Sequence, residues 1–190
     1  MNEREAQSIV KSKLSKDRYE HTLRVAQTAK QLAEIFNAST KKAVLAGLLH
    51  DYAKCNPPDE LKEQIKHFRL PKHLLHYHKE LWHGPVGAKI IKEEYMVTDE
   101  DIFHAIYYHT TARENMSLLE KIIYVADYIE PGRKFPGVEE VRKLAEVNLD
   151  LATHRAIRNS MIHLLKKDAI IFPDTFLAYN QLTKIIGGVK

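Results

Sequence analysis

The sequence predicts an all-α protein folded as a single domain. Three observations carry that expectation. Almost every segment repeats its apolar residues at helical spacing. No segment shows the strict apolar–polar alternation of a half-buried strand. The breaks between periodic segments carry cap residues, prolines and glycines that start and stop helices. At 190 residues the chain can bury a full core as one domain, 1–190, with 168–190 as a C-terminal extension.

Residues 5–14 form a short amphipathic opening. Asp17-Arg18-Tyr19-Glu20 has the pattern of a capping box, with Asp17 as N-cap, and starts a helix that runs to about residue 36. Leu23, Ala26, Leu32, Ala33 and Phe36 face inward along it, and His21 lies in its first turn. Ser39 or Thr40 caps the next helix, which carries Val44, Leu45, Leu48, Leu49, His50 and Asp51. Asn56-Pro57-Pro58 stops that helix and opens a short one over 58–67. The pattern loosens over 68–84, where His73, His76, His78 and His83 cluster around Pro71 and Trp82. Gly84-Pro85 opens a helix to about residue 95, with Pro85 at its first position and His83 just outside. Thr98-Asp99-Glu100-Asp101 caps a helix in which Ile102, Ala105, Ile106 and His109 share one stripe. Ser117-Leu118-Leu119-Glu120 is a stricter capping box and starts a helix to Ile129. Two further helices follow over 138–147 and 149–167. An apolar loop over 169–173 leads to a last helix, 175–186, stopped by Gly187-Gly188.

Composition narrows the class. The 44% apolar and 28% charged content is that of a soluble globular protein. No stretch approaches the roughly 20 apolar residues that span a bilayer. Met1-Asn2-Glu3-Arg4-Glu5 lacks the apolar core of a signal peptide, so a cytoplasmic location is the expectation. A single cysteine, Cys55, excludes an internal disulfide and a cysteine-rich zinc site. The net charge of +4 suits anionic substrates, but no basic stripe with interleaved aromatics marks a nucleic-acid binder. The 11 histidines are spread over several segments and point to a site.

Leu48-Leu49-His50-Asp51-Tyr52-Ala53-Lys54 is the most informative stretch. At about 100° per helical residue, His50 and Asp51 project to neighbouring directions and can share one ion. Lys54 lies one turn on, on the same face. Asp127 sits inside the apolar run Ile122-Ile123-Tyr124-Val125-Ala126-Asp127-Tyr128-Ile129. A lone buried carboxylate costs several kcal/mol, so Asp127 calls for a cation or strong donors. Residues of ligand type on core-facing or helix-end positions are His21, His50, Asp51, His83, His109 and Asp127. Imidazoles and carboxylates without thiolate suit iron, manganese, cobalt, nickel or zinc, and disfavour calcium. Taken singly, each has an ordinary reading: His109 as a hydrogen-bonded core residue, or Asp127 as the partner of Arg133 or Lys121.

In this order, His21, His50-Asp51 and Asp127 resemble the H…HD…D signature of the HD-domain metal-dependent phosphohydrolases. Other segments narrow the likeness: His50-Asp51-x-x-Lys54, His83-Gly84-Pro85, Tyr108-His109-Thr110, Ala126-Asp127-Tyr128-Ile129-Glu130-Pro131-Gly132-Arg133 and Pro173-Asp174-Thr175. Together they look like the YqeK-type HD proteins, the bacterial symmetrical diadenosine tetraphosphate hydrolases, over nearly the whole chain.

The resemblance implies a single HD-domain helical bundle. It implies a hydrolase that splits diadenosine tetraphosphate into two ADP by attack of a metal-activated water. It implies iron, as one or two ions, held by His21, His50, Asp51 and Asp127, with other divalent transition metals as alternatives. His83 and His109 would either contact phosphate or complete a second metal site. One tightly held ion, with both imidazoles turned to phosphate, is the expectation. Catalytic roles fall to Asp51, Lys54, His83, His109 and Arg133, with Lys54 and Arg133 as the cations nearest the reacting phosphoryl group. Substrate contacts extend to His21, Asp127 and Thr110 and to the segment Ile170, Ile171, Phe172, Pro173, Asp174, Thr175 and Tyr179. A nucleobase would lie there on Ile171, Phe172 or Tyr179, making 168–190 a nucleotide-contacting extension. Two rivals share the same cluster: an HD-type nucleotidase or deoxynucleoside triphosphate phosphohydrolase, and a regulatory module that binds nucleotide without turnover. The expected partner is a dinucleoside polyphosphate or nucleotide, with no nucleic acid and no membrane. The apolar face near the C-terminus suits a homodimer.

Overall fold

A computed structural model describes residues 1–188; Val189 and Lys190, the end of the expected C-terminal extension, lie outside the described residues. The described chain is all-helical, as expected. Its helices are α1 (Glu3–Lys13), α2 (Lys16–Ile35), α3 (Thr40–Leu49), α4 (Pro58–His67), α5 (His83–Glu93), α6 (Glu100–Tyr107), α7 (Leu118–Ile129), α8 (Val138–Ala145), α9 (Leu149–Leu165) and α10 (Pro173–Ile185). Two short 3₁₀ turns, Lys72–His76 and Lys79–Leu81, occupy the segment where the periodicity loosens.

The helix ends differ from the sequence expectations where a side chain found a better partner. Asn2 and Glu5 form a reciprocal capping box, so α1 starts before residue 5. Ser15, not Asp17, caps α2 by accepting from the Arg18 N–H. Asp17 falls in the first turn, where its charge complements the positive helix end. Ser117 caps α7, but Glu120 does not reach back to complete the box. Its buried carboxylate accepts a fork from Arg113, Nε at 2.9 Å and Nη2 at 2.7 Å, which is stronger than one neutral N–H bond. Helix α5 begins at His83, two residues ahead of Pro85. Helix α3 stops at Leu49 and α6 at Tyr107, so His50, Asp51 and His109 lie in the turns just beyond. Helix α10 starts at Pro173, whose fixed φ suits a first position.

Helix α7 is the centre of the bundle. Its Ile122, Ile123, Val125 and Ala126 are fully buried, and it packs on α2, α3, α6 and α9. Helices α2 and α3 form the most extensive pair. Gly47 permits that approach, because a Cβ there would stand 2.8 Å from the Ala26 Cα. The close contact sets the spacing between His21 on α2 and His50 at the end of α3. Helices α8, α9 and α10 complete the far side of α7. Thr175 at the start of α10 donates its hydroxyl to the Thr111 carbonyl at 2.7 Å. That bond ties the C-terminal segment to the loop that carries His109.

Candidate metal centre

Six ligand-type side chains from five parts of the chain converge at one end of α7. His21 comes from α2, His50 and Asp51 from the turn after α3, His83 from the first turn of α5, His109 from the turn after α6, and Asp127 from α7. Asp51 is the hub, 2% exposed. Its Oδ2 lies 3.3 Å from His50 Nε2 and 3.7 Å from His21 Nε2. Its Oδ1 lies 3.0 Å from His83 Nε2 and 3.7 Å from His109 Nε2. His21 Nε2 is also 3.0 Å from Asp127 Oδ1, and the Nε2 atoms of His83 and His109 are 3.0 Å apart.

The donor set fits transition-metal ions. Ligands bound about 2.1 Å from one ion stand roughly 3 Å apart, which is the spacing here. Two trios, His21–His50–Asp127 and His50–Asp51–His109, each hold their ligand atoms within 4.8 Å of one another. Tautomers point the same way. His50 Nδ1 lies 2.7 Å from the Gly47 carbonyl and His109 Nδ1 2.8 Å from the Ile106 carbonyl. A carbonyl only accepts, so each Nδ1 carries the hydrogen and each Nε2 presents a lone pair to the cluster. The Nε2 atoms of His21 and His50 are buried and have no hydrogen-bond partner among the described residues. Lone pairs facing carboxylates in a buried pocket call for a cation between them.

The charges respond to that crowding. Burial would raise Asp51, but His50, His109 and His83 outweigh it and hold the carboxyl well below the ordinary range. Burial would also raise Asp127, yet His21, His50 and Arg133 keep it strongly depressed. Burial pushes His83 down to about 4, so it is neutral and ligand-ready at physiological pH.

Around the cluster stand cations. Arg133 donates from Nη2 to Asp127 Oδ1 at 2.5 Å and from Nε to the Asp127 carbonyl at 2.9 Å. Arg18 donates from Nη1 to Asp51 Oδ2 at 2.8 Å and was not among the expected site residues. Its signal was present: it precedes His21 by three residues, on the same helical face. Lys54 is engaged with Glu80 at 2.6 Å. Glu130, 2% exposed, accepts from His21 and Arg24 and was likewise missed.

The C-terminal residues divide. Thr110 Oγ1 is buried without a partner among the described residues, beside His109. Ile170 is 70% exposed, Pro173 is exposed, and Ile171 and Asp174 are half-buried. Phe172 is 6% exposed, covered edge-on by Tyr77 at 4.8 Å and flanked by His73. Thr175 is buried and bonded to Thr111, while Tyr179 stacks on His154 at 4.9 Å. Phe172 and Thr175 thus serve packing in this structure, and Ile170, Ile171 and Asp174 form the open surface. Burial raises the Asp174 carboxyl.

A helical bundle that gathers His, His-Asp and Asp ligands in this way is the architecture of one class, and the family model described as HD domain matches residues 18–132. The chain is 54% identical to the symmetrical bis(5'-nucleosyl)-tetraphosphatase of Bacillus subtilis, over 96% of this chain and 98% of that protein. It is 47% identical to the protein of the same name from Halalkalibacterium halodurans, over 96% of this chain and 97% of that one. A crystal structure from Clostridium acetobutylicum, titled an HD superfamily hydrolase involved in NAD metabolism, superposes with a TM-score of 0.91 at 39% identity, covering 96% of this chain and 97% of that one. This chain therefore belongs to the HD-domain family and, within it, to the family of the symmetrical bis(5'-nucleosyl)-tetraphosphatases.

Proposed function

We propose that this protein hydrolyses diadenosine tetraphosphate at its centre, releasing two ADP. The observation that carries the reading is Asp51, whose two oxygens each face a separate set of imidazole nitrogens within one buried cluster. The names of the Bacillus and Halalkalibacterium relatives supply the substrate class.

His21, His50, Asp127 and the Oδ2 side of Asp51 would hold one ion, for which iron is the proposal. Of the two roles open to His83 and His109, phosphate contact or a second metal site, the second is the proposal. Both Nε2 atoms crowd the Oδ1 side of Asp51, and a neutral His83 is a poor anion binder but a good ligand, which supports a second ion there. When bound, such ions lower the pKa of water and polarise a phosphoryl oxygen. The protein's own groups do the rest. Arg18 and Arg133, which donate to Asp51 and Asp127 at the cluster, would meet the negative charge that develops on the phosphate chain, and the planar guanidinium suits paired oxygens. Lys54 is held at the rim by Glu80 and can exchange that partner for an outer phosphate. Thr110, whose buried hydroxyl has no partner among the described residues, would offer it to the phosphate chain. ADP is already a good leaving group, so proton donation to it is a small demand. Ile170, Ile171 and Asp174 would offer a base an apolar face and one polar contact, and Tyr179 a further aromatic surface. The exposed Phe176 and Leu177 at the start of α10 suit a homodimer face, and a cytoplasmic setting suits the nucleotide substrate.

The test is product analysis. Full-length protein purified without air is assayed for metal per chain and mixed with diadenosine tetraphosphate. ADP as sole product is expected. AMP with ATP, or free phosphate, would replace this reading with a nucleotidase-like one. Tight nucleotide binding with no turnover would replace it with a regulatory module.

A further inference from the structure

The four imidazoles of the cluster are not held alike. His50 and His109 lie just past the ends of α3 and α6, where backbone carbonyls three residues back are free to accept Nδ1–H. His21 lies inside α2, where the neighbouring carbonyls are used by the helix itself. Its Nδ1 partner comes from elsewhere: Glu130 Oε1, at 3.0 Å and 109 residues away in sequence. Glu130 is buried, and its second oxygen is clamped by two donors, Arg24 Nε at 2.6 Å and the Gly132 N–H at 2.6 Å. Space is tight around this clamp. A Cβ on Gly132 would stand 2.7 Å from Arg24 Nη2 and 2.9 Å from Glu130 Oε2.

We infer that Glu130 is the positioning residue of His21: its clamped carboxylate accepts Nδ1–H and so fixes the tautomer that aims the Nε2 lone pair into the cluster, 3.0 Å from Asp127 Oδ1. This rests on the metal-centre reading above and adds to it a residue that touches neither metal nor substrate. The chemistry makes a sharp statement about Glu130→Gln. Arg24 and Gly132 both donate to the Oε2 position, so the glutamine carbonyl must settle there. Its NH₂ then faces His21 Nδ1 and donates to it. The imidazole proton moves to Nε2, where it points at Asp127 and blocks ligation. A carboxylate behind a ligating imidazole also makes it more basic, and loss of such partners usually weakens metal binding by about 10-fold to 100-fold.

Two readouts test this in the full-length chain. In the Zn²⁺-loaded protein, where the ion takes the place of a proton between His21 Nε2 and Asp127, ¹⁵N NMR of histidine reports which ring nitrogen of His21 carries the proton. In the Zn²⁺-loaded protein, competition with a chelator reports affinity. Wild type is expected to show Nδ1–H and tight Zn²⁺. Glu130→Gln is expected to show Nε2–H and affinity lower by on the order of 10-fold to 100-fold. Glu130→Gln that keeps Nδ1–H, or that holds Zn²⁺ within about 2-fold of wild type, overturns the inference. Wild type that binds no Zn²⁺ overturns the metal reading on which the inference rests. If Glu130→Gln does not fold, Gly132→Ala serves. Its methyl group pushes Arg24 off the carboxylate, and a weaker change in both readouts is expected; unchanged readouts in that folded variant overturn the inference.

Discussion

The ligand cluster and the C-terminal segment are built on opposite plans. In the cluster, ionisable groups are buried against one another, with Asp51 2% exposed and Glu130 2% exposed. Asp51 is held by Arg18, and Glu130 by His21 and Arg24, all from α2, so their geometry is set before any substrate arrives. In the C-terminal segment, apolar side chains are left open: Ile170 is 70% exposed and Phe176 51%. It offers area and few fixed polar contacts. The contrast assigns the two regions different duties. The cluster should govern turnover and metal content, and the segment should govern how tightly the nucleoside is held.

The largest expected effect tests the cluster itself. Asp51→Ala removes the carboxylate that joins both ligand sets. Metal per chain should fall, and kcat/KM for diadenosine tetraphosphate should drop by about 10³-fold or more, since Lewis-acid stabilisation is worth several kcal/mol. Circular dichroism should stay helical. An Asp51→Ala protein that keeps its metal and its activity would erase the distinction drawn between the regions. The next effect concerns the flanking cations. Arg18→Ala and Arg133→Ala should each lower kcat by about 10²-fold while metal content holds, and lysine should restore little, because the fork is lost. Loss of metal in Arg133→Ala would move that arginine from substrate to the support of Asp127, with which it pairs at 2.5 Å.

The cluster was the more legible region, for a physical reason. A histidine and an aspartate at the end of the apolar run that begins at Ala43, and an aspartate inside Ile122–Ile129, run against the apolar pattern, and buried polar groups need a cause. Helix order followed from period and caps. What escaped was the competition between partners. Glu120 has the spacing of a capping residue but sits within reach of Arg113, three-dimensional information that spacing lacks. Arg18 and Glu130 look like ordinary charged residues, and only the packing of α2 against α3 and α7 gives them their partners. The C-terminal segment was less legible still. Ile170, Ile171 and Phe172 form one apolar run in sequence, yet Tyr77 and His73 cover Phe172 and leave Ile170 open. Apolarity marks a surface for burial without saying what buries it.

A smaller effect sharpens the other half of the contrast. Tyr179→Ala should raise KM by about 10-fold, the scale of one lost base–aromatic contact, with kcat and metal content little changed. Tyr179 already stacks on His154, so the alternative outcome is informative. Unchanged KM with a lower Tm would make Tyr179 a packing residue and leave Ile171 and Asp174 as the base contacts.

The smallest effect separates the regions by pH. Burial, with Arg155 and Arg158 nearby, lowers the pKa of His154, which joins α9 to α10 through Tyr179 and a 3.0 Å contact with Thr183. The folded state therefore prefers the neutral imidazole, while the unfolded chain titrates near the ordinary value of about 6.5. The stabilisation is complete above that unfolded value and is lost as pH falls below it toward the folded one. Melting of the Zn²⁺-loaded protein at a series of pH values below about 7 should show Tm falling more steeply in wild type than in His154→Gln. The cluster imidazoles behave differently, because a bound ion must leave before they can accept protons. Chelator should therefore change the acid response of the cluster and leave the difference between wild type and His154→Gln intact. If chelator abolishes that difference, α10 is coupled to the metal centre, and the two regions act as one.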